Sequence, residues 1–191
     1  MFALYAVPIG MIVGWLLGGR LENLNGARFR WAGLALAGLL AQLLLFLGPV
    51  AERVGDVGPV VYVASTGMVL AAVLRNVRVP GLPAVAVGAT SNLLAIVANG
   101  GYMPASPDAL AAIGRTVSAD YSNSVVANHP ALAPLTDIFA LPAAVPFHNV
   151  FSVGDLAIAL GVSWALVALM RAGGAPRKLR PLAGAFGTDE R

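Results

Sequence analysis

The sequence predicts an all-α polytopic membrane protein. It would be a helix bundle of five transmembrane helices with a short extracytoplasmic cap between the fourth and fifth. Three observations predict this. Of 191 residues, 58% are hydrophobic and only 11% are charged, against about 25% charged in soluble domains. Mean hydropathy is +0.80. The apolar residues also gather into five stretches near the length a bilayer requires, about 20 residues with a range of roughly 17–25. Such a composition excludes a disordered chain, a nucleic-acid binder and most soluble enzymes. The net charge of +3 and pI near 9.8 arise from Lys and Arg that flank apolar stretches, not from a dense basic cluster, so no nucleic-acid partner is expected. With no cysteine, the chain has no disulfide, thiolate nucleophile or Cys-ligated metal.

The expected spans are residues 2–19, 31–50, 58–74, 82–99 and 151–170. The first reads as an uncleaved span and not as a signal peptide. A signal peptide carries a basic segment before its apolar run, whereas here Arg20, Arg28 and Arg30 follow it. Basic residues set the orientation. The 20–30 loop holds three, the 75–80 loop two (Arg75 and Arg78) and the tail after 170 five (Arg171, Arg177, Lys178, Arg180 and Arg191), ten in all. The alternate segments hold Arg53 and Arg115 only. The expected protein is therefore a multi-pass protein of the cell membrane, with its N-terminus extracytoplasmic and its C-terminus cytoplasmic. Residues 1–170 would form one transmembrane domain and 171–191 a basic cytoplasmic tail that frays beyond the headgroups.

The 51–57 turn and the 100–150 segment then face the exterior. The long segment opens with the turn-rich run Asn99-Gly100-Gly101-Tyr102-Met103-Pro104. Ser106-Pro107-Asp108 signals a helix start, with Ser106 as N-cap and Pro107 at the first helical position, running to about Gly114. A polar run from Ser118 through Asp120, Tyr121, Ser122, Asn123, Ser124 and Asn128 to His129 follows. Another apolar turn or two lie between Leu132 and Leu141, broken up by Pro130, Pro134, Pro142 and Pro146. The apolar side chains Leu132, Leu135, Ile138 and Phe139 would seat this cap on the bundle or the lipid interface. No internal repeat is visible, and an odd number of spans argues against an inverted-repeat transporter.

In lipid, close backbone approach drives helices together. Gly10, Gly14 and Gly18 recur at four-residue spacing on the first span. They form two overlapping GxxxG units that serve either packing inside the bundle or contact with a second copy or another subunit. The third span carries Ala64, Gly67 and Ala71, and the fourth carries Ala84, Gly88 and Asn92.

Intramembrane ionisable groups are default functional candidates, and Asp155 is the one here. Ser152-Val153-Gly154-Asp155 also fits a capping box, Ser152 at N-cap and Asp155 at N3, with Phe151 and Leu156 at the positions of a hydrophobic staple. A carboxylate there complements the helix dipole. Asn92 is expected to bond across to another helix, and Gln42 and the Ser65-Thr66 pair are candidate partners. Asn99, Tyr102, Asp137, His148, Asn149 and Asp155 all fall at the outer interface and form a candidate ligand-binding cluster. No metal site is expected, because no His pair has ligand spacing and no HExxH occurs. No GxSxG, P-loop or GxGxxG is present, so no catalytic residue is assigned and no cofactor is expected.

These motifs resemble those of a group of small bacterial membrane proteins, domain of unknown function 5317. The resemblance rests on Asn99-Gly100-Gly101-Tyr102-Met103-Pro104, on Leu135-Thr136-Asp137-Ile138 with Pro142, and on Phe151-Ser152-Val153-Gly154-Asp155. It covers most of the chain and is clearest over 92–160, with motifs of moderate specificity. It implies a multi-pass membrane protein without an established activity, so it supplies no reaction. Where that family often carries Gly before the Asp of the middle motif, this chain has Thr136. A Gly serving a tight turn there would mean a different local backbone here.

Three functions follow as expectations. The first is a non-enzymatic structural or accessory component of a membrane assembly, with the lipid bilayer, a homo-oligomer or complex subunits as partners. The second is a binder or carrier of a lipid, isoprenoid or quinone-like ligand whose head group meets the outer polar cluster. The third is a membrane-embedded enzyme with His148 and Asp155 as an acid–base pair, which requires the two within reach of a shared cavity.

Overall fold

The computed structural model describes residues 5–114, 124–126, 129–142 and 144–172. Helices α1 (Ala6–Leu16), α2 (Ala32–Leu45), α3 (Gly48–Val54), α4 (Val57–Arg75) and α5 (Leu82–Ala98) come first. Strand β1 (Met103–Ala105), helix α6 (Pro107–Ala112) and strands β2 (Ser124–Val126), β3 (Phe139–Ala140) and β4 (Val150–Phe151) follow, and α7 (Val153–Ala172) closes the order. Two short 3₁₀ turns, Leu21–Gly26 and Ala133–Leu135, interrupt the loops. The polar run from Ser118 to Asn123, Asn128 and all but the first two residues of the expected tail lie outside the described residues.

Each of the five apolar stretches contains a helix, but five full crossings do not emerge. Among the described residues only α4 and α7, with 19 and 20 residues, are long and apolar enough to cross a membrane. The α2–α3 pair qualifies only as a broken span, bent by 84°. Helices α1 and α5 are apolar but shorter, with 11 and 17 described residues. At about 1.5 Å per residue they reach roughly 17 and 26 Å, against a hydrocarbon core of about 30 Å.

The breaks have local causes. Gly48 and Pro49 stand inside the expected second span. Proline cannot continue a helix but is pre-set to begin one, so α2 stops at Leu45 and α3 starts at Gly48. The segment read as an exterior turn at 51–57 is therefore mostly helix, running nearly perpendicular to α2. Helix α5 is bounded by Gly81 at φ +87° and by Asn99 with Gly100 at φ +72°.

The helices pack in the order α2, α4, α5, α7, α1. Consecutive α1 and α2 thus lie at opposite ends of a row, and the segment joining them runs along one end of it. There the Asn23 side chain (2.6 Å) and the Arg20 amide (3.0 Å) donate to the Met170 carbonyl near the end of α7. Arg30 then bonds to Asn76 just beyond α4. The basic 20–30 and 75–80 loops and the C-terminal end of α7 therefore share one end of the row, and the cap covers the other.

Small residues set the helix spacing. A methyl on Gly10 or Gly14 would meet Ser163 Cα at 2.8 Å or Met170 Sδ at 2.6 Å, so both pack α1 on α7. Gly18 does not join them: it sits past the helix end at φ +80° with open space around it. Two glycine pairs seat α5 on α7, Gly81 with Gly161 and Gly88 with Gly154. Each pair lies seven residues from the next on both helices, as an antiparallel crossing of two turns requires. Val73, Leu82, Val85, Ala86 and Ala165 fill the core between them.

The cap is not helical throughout, so the all-α expectation becomes a mostly helical fold with short strands. Strand β1 pairs with β2 in parallel, Met103 opposite Ser124, and β3 pairs with β4 antiparallel, Phe139 opposite Phe151. Prolines bar long helices there, and buried backbone must still pair. Helix α6 begins at Pro107 as expected, but Ser106 makes no side-chain cap bond; its amide donates instead to the Asp137 carbonyl at 2.9 Å. Ala105, Ala109, Leu110, Ile113 and Val150 form the cap's own core. Of the expected seating residues, Leu135 packs with Ala95, Ile96 and Met103, while Leu132, Ile138 and Phe139 stay substantially exposed. Thr136 has φ −89° and ψ 178°, ordinary extended backbone with no need of glycine.

Candidate functional site

The N-terminus of α7 carries the expected capping box. The Asp155 amide donates to Ser152 Oγ at 3.0 Å, and the Ser152 amide donates to Asp155 Oδ2 at 3.2 Å. Asn92 of α5 extends the box across the helix interface. Its Nδ2 donates to Asp155 Oδ1 at 2.9 Å, and its Oδ1 accepts from Ser152 Oγ at 2.9 Å. The three side chains, with the Ser152 and Asp155 backbone amides, thereby close a ring in which each bond polarises the next. A Cβ at position 154 would fall on the Asn92 side-chain oxygen Oδ1, so only glycine there lets Asn92 reach the box. The Ser152-Val153-Gly154-Asp155 motif and Asn92 are thus one construction. Asn92 does cross to another helix, but to α7; Gln42 instead donates to Thr66 Oγ1 at 3.1 Å and ties α2 to α4. Phe151 stacks on Phe139 with centroids 5.5 Å apart, while Leu156 is 42% exposed.

Asp137 stands close to this ring. Its backbone is strand-like: it bridges Ala105, and its amide donates to the Pro104 carbonyl at 2.9 Å. The side chain is buried, and Oδ1 has no hydrogen-bond partner among the described residues. Burial, and after it the charge of Asp155, push the Asp137 carboxyl from 3.8 up to about 7.

The other members of the expected cluster stand at the cap end of the row. Asn99 clamps the cap to α5. Its Nδ2 donates to the carbonyls of Ala95 (2.7 Å) and Ala131 (2.9 Å), and its Oδ1 accepts from the Ala131 amide at 2.9 Å. Tyr102 is half-buried just before β1. His148 and Asn149 are half-buried before β4, where the His148 amide donates to the Val145 carbonyl and the Asn149 carbonyl accepts from Leu141. The hydrogen bonds of Asp155 go to Asn92 and Ser152. Among the described residues no three His, Asp or Glu side chains gather as a metal site.

An open groove of about 670 Å³ runs beside the ring, between α5 and α7. Gly88, Ser91, Leu94, Leu135, Val153 and Ala157 line it, and the Ser91 hydroxyl is buried without a partner among the described residues.

The model of one protein family, the Family of unknown function (DUF5317), matches residues 26–167. The chain belongs to this family. The match takes in the ring, the Asn99 clamp and Asp137, so these are features of a DUF5317 chain within the matched region. No curated protein and no solved structure matches the chain.

Sequence reasoning missed Asn76 in this DUF5317 chain. It is 5% exposed, and its side chain donates to the carbonyls of Ala72 and Arg30 (2.7 Å each) and accepts from the Arg30 amide at 2.8 Å. The available signal was positional: Asn76 follows the last residue of its helix just as Asn99 does.

Proposed function

We propose that the protein is a five-pass integral membrane protein that serves as a structural or accessory component of a membrane assembly. Its N-terminus is extracytoplasmic and its C-terminus cytoplasmic, and its partners are lipid together with complex subunits or a second copy. The carrying observation is that Gln42, Asn92 and Ser163 within the helix row hold the fold: Gln42 bonds Thr66, Asn92 bonds Ser152 and Asp155, and Ser163 bonds the Ala6 carbonyl. Helix α2, at one end of the row, leaves Leu36, Leu39, Leu40, Leu43 and Leu44 exposed. This is one continuous helical face open to lipid or to a neighbour. The ten-to-two sorting of basic residues supports the orientation. Short α1 and α5 are accommodated by local thinning of the bilayer.

The chain has no cysteine, which permits a direct topology test. In intact cells an impermeant maleimide should label Asp108→Cys in the cap, but should label Val77→Cys only after permeabilisation. The reverse pattern overturns the orientation. Purification in mild detergent should recover a stable partner or homo-oligomer, and recovery of neither overturns the accessory role.

A second reading, binding of a lipid, isoprenoid or quinone-like molecule, is favoured by the groove with its unpartnered Ser91 hydroxyl. It predicts one enriched species in the lipids that co-purify, and loss of that species in Asp155→Asn.

A further inference from the structure

At the end of the row opposite the cap, four arginines surround one pocket. Arg28 and Arg30 come from the segment before α2, and Arg75 and Arg78 from the turn between α4 and α5. The pocket encloses about 440 Å³ and none of its lining residues is acidic. That volume falls within the range of small-molecule sites, about 300–1,000 Å³.

The pocket is held in shape by its floor. Asn76 binds both backbone groups of Arg30, at 2.8 and 2.7 Å, and through the Ala72 carbonyl fixes the pair to the end of α4. The next residue, Trp31, is held at φ 59°, a left-handed conformation that a bulky residue rarely adopts. Such strain persists where the surroundings over-determine the backbone. Within the turn, the Val79 amide donates to the Asn76 carbonyl at 2.9 Å. The Arg30 backbone is thus pinned, Arg75 is the last residue of α4 and Arg78 lies in the turn beyond it, while all four side chains stay exposed.

Four guanidiniums around one pocket, with no carboxylate among its described lining residues, repel one another unless an anion joins them. The end of α4 contributes only about half a negative charge through its dipole. Guanidinium forks match phosphate oxygens in pairs, and Leu74 and Val77 provide an apolar wall beside them. We propose that this pocket binds a phosphate group carried on a small organic body, either an anionic lipid headgroup or a free phosphorylated compound. The reading goes beyond the accessory role and does not depend on it.

The test is thermal unfolding of the full chain in neutral detergent, titrated with phosphatidylglycerol, phosphatidylcholine, glycerol phosphate or inorganic phosphate. Phosphatidylglycerol should raise Tm where phosphatidylcholine does not. In the double variant Arg28→Gln/Arg75→Gln its apparent affinity should fall at least about tenfold. The variant Arg20→Gln/Arg171→Gln removes two exposed arginines that do not line the pocket and should leave that affinity unchanged. If the soluble phosphates reproduce the shift, the ligand is a free phosphate compound; if phosphatidylglycerol alone does, it is a headgroup. Equal losses in the two double variants would mean diffuse charge and would overturn the pocket, as would the absence of a shift with every phosphate probe. Both variants change only exposed side chains, and their Tm without additive, measured alongside, reports that they fold.

Discussion

Replacing Asp137 by Asn removes one ionisable group from the interior of the cap while keeping its size and shape. The carboxyl titrates at 3.8 when solvated and near 7 in the fold, because it is buried and, secondarily, because Asp155 lies close. A folded pKa above the unfolded one means that the folded state holds the proton more tightly. This contribution to stability is therefore complete below about pH 4 and is lost progressively as pH rises toward 7, then levels off. At 1.36 kcal/mol per pKa unit, the loss is on the order of 4 kcal/mol. The asparagine carries no charge at either limit. The difference in stability between Asp137→Asn and the parent should thus be flat at acid pH, widen in favour of the variant between about pH 4 and 7, and plateau above. Thermal unfolding in detergent across that range checks it. For a chain of this size the high-pH plateau corresponds to roughly 10 °C in Tm. A difference that stays constant with pH would show that Asp137 is not desolvated in the fold and would sink the reasoning.

Four further perturbations test the packing. Asn92→Ala leaves Asp155 Oδ1 without its cross-helix donor and opens the ring, a loss of about 1–3 kcal/mol measured as a lower unfolding midpoint. An unchanged midpoint would mean the ring is idle. Gly154→Ala sets a methyl on the Asn92 oxygen and should cost about 1–3 kcal/mol. Gly18→Ala, in open space, should cost only the left-handed strain of about 1–2 kcal/mol and keep α1 cross-linkable to α7 through introduced cysteines. Loss of that cross-link only in the Gly18 variant would reverse the assignment of the packing face. Asn99→Ala should release the cap at Ala131, seen as faster hydrogen exchange in the cap with unchanged exchange in α4 and α7. Uniform acceleration across the chain would refute a local clamp.

Much of this architecture is legible from the residues, and the illegible parts have physical reasons. The apolar stretches locate all five longer helices, because lipid-facing and packed residues alike must be apolar. The capping box at Ser152 and Asp155 is legible because its partners are three residues apart. Pro49 was visible inside the second stretch, yet hydropathy averages over the window and hides a break that one backbone position decides. The cap strands are two or three residues long, too short for a period of two to register. The six-residue polar cluster was drawn from shared depth. Depth does not specify neighbours, so Asn99 and Asp155 were grouped although one clamps the cap and the other closes a helix interface. Asn76 escaped notice because its partner, Arg30, is 46 residues away.

Asn76 and Asn99 show how the row gets its order. In lipid, apolar side chains gain little by facing one helix in preference to another, so burial alone does not choose which helix ends meet. Backbone groups at those ends must still find partners. An asparagine just past a helix offers an amide donor and a carbonyl acceptor, the same pair a strand neighbour would offer. Asn76 uses them on Arg30 and Asn99 on Ala131, and each also donates to the carbonyl four residues back. The first fixes the segment entering α2 beside the end of α4; the second fixes the cap over the end of α5. Two side chains of one type thus decide adjacency at opposite ends of the molecule, where hydropathy is silent. Exchange of one apolar residue for another on the exposed face of α2 should accordingly leave the fold intact, whereas loss of either asparagine frees a specific junction.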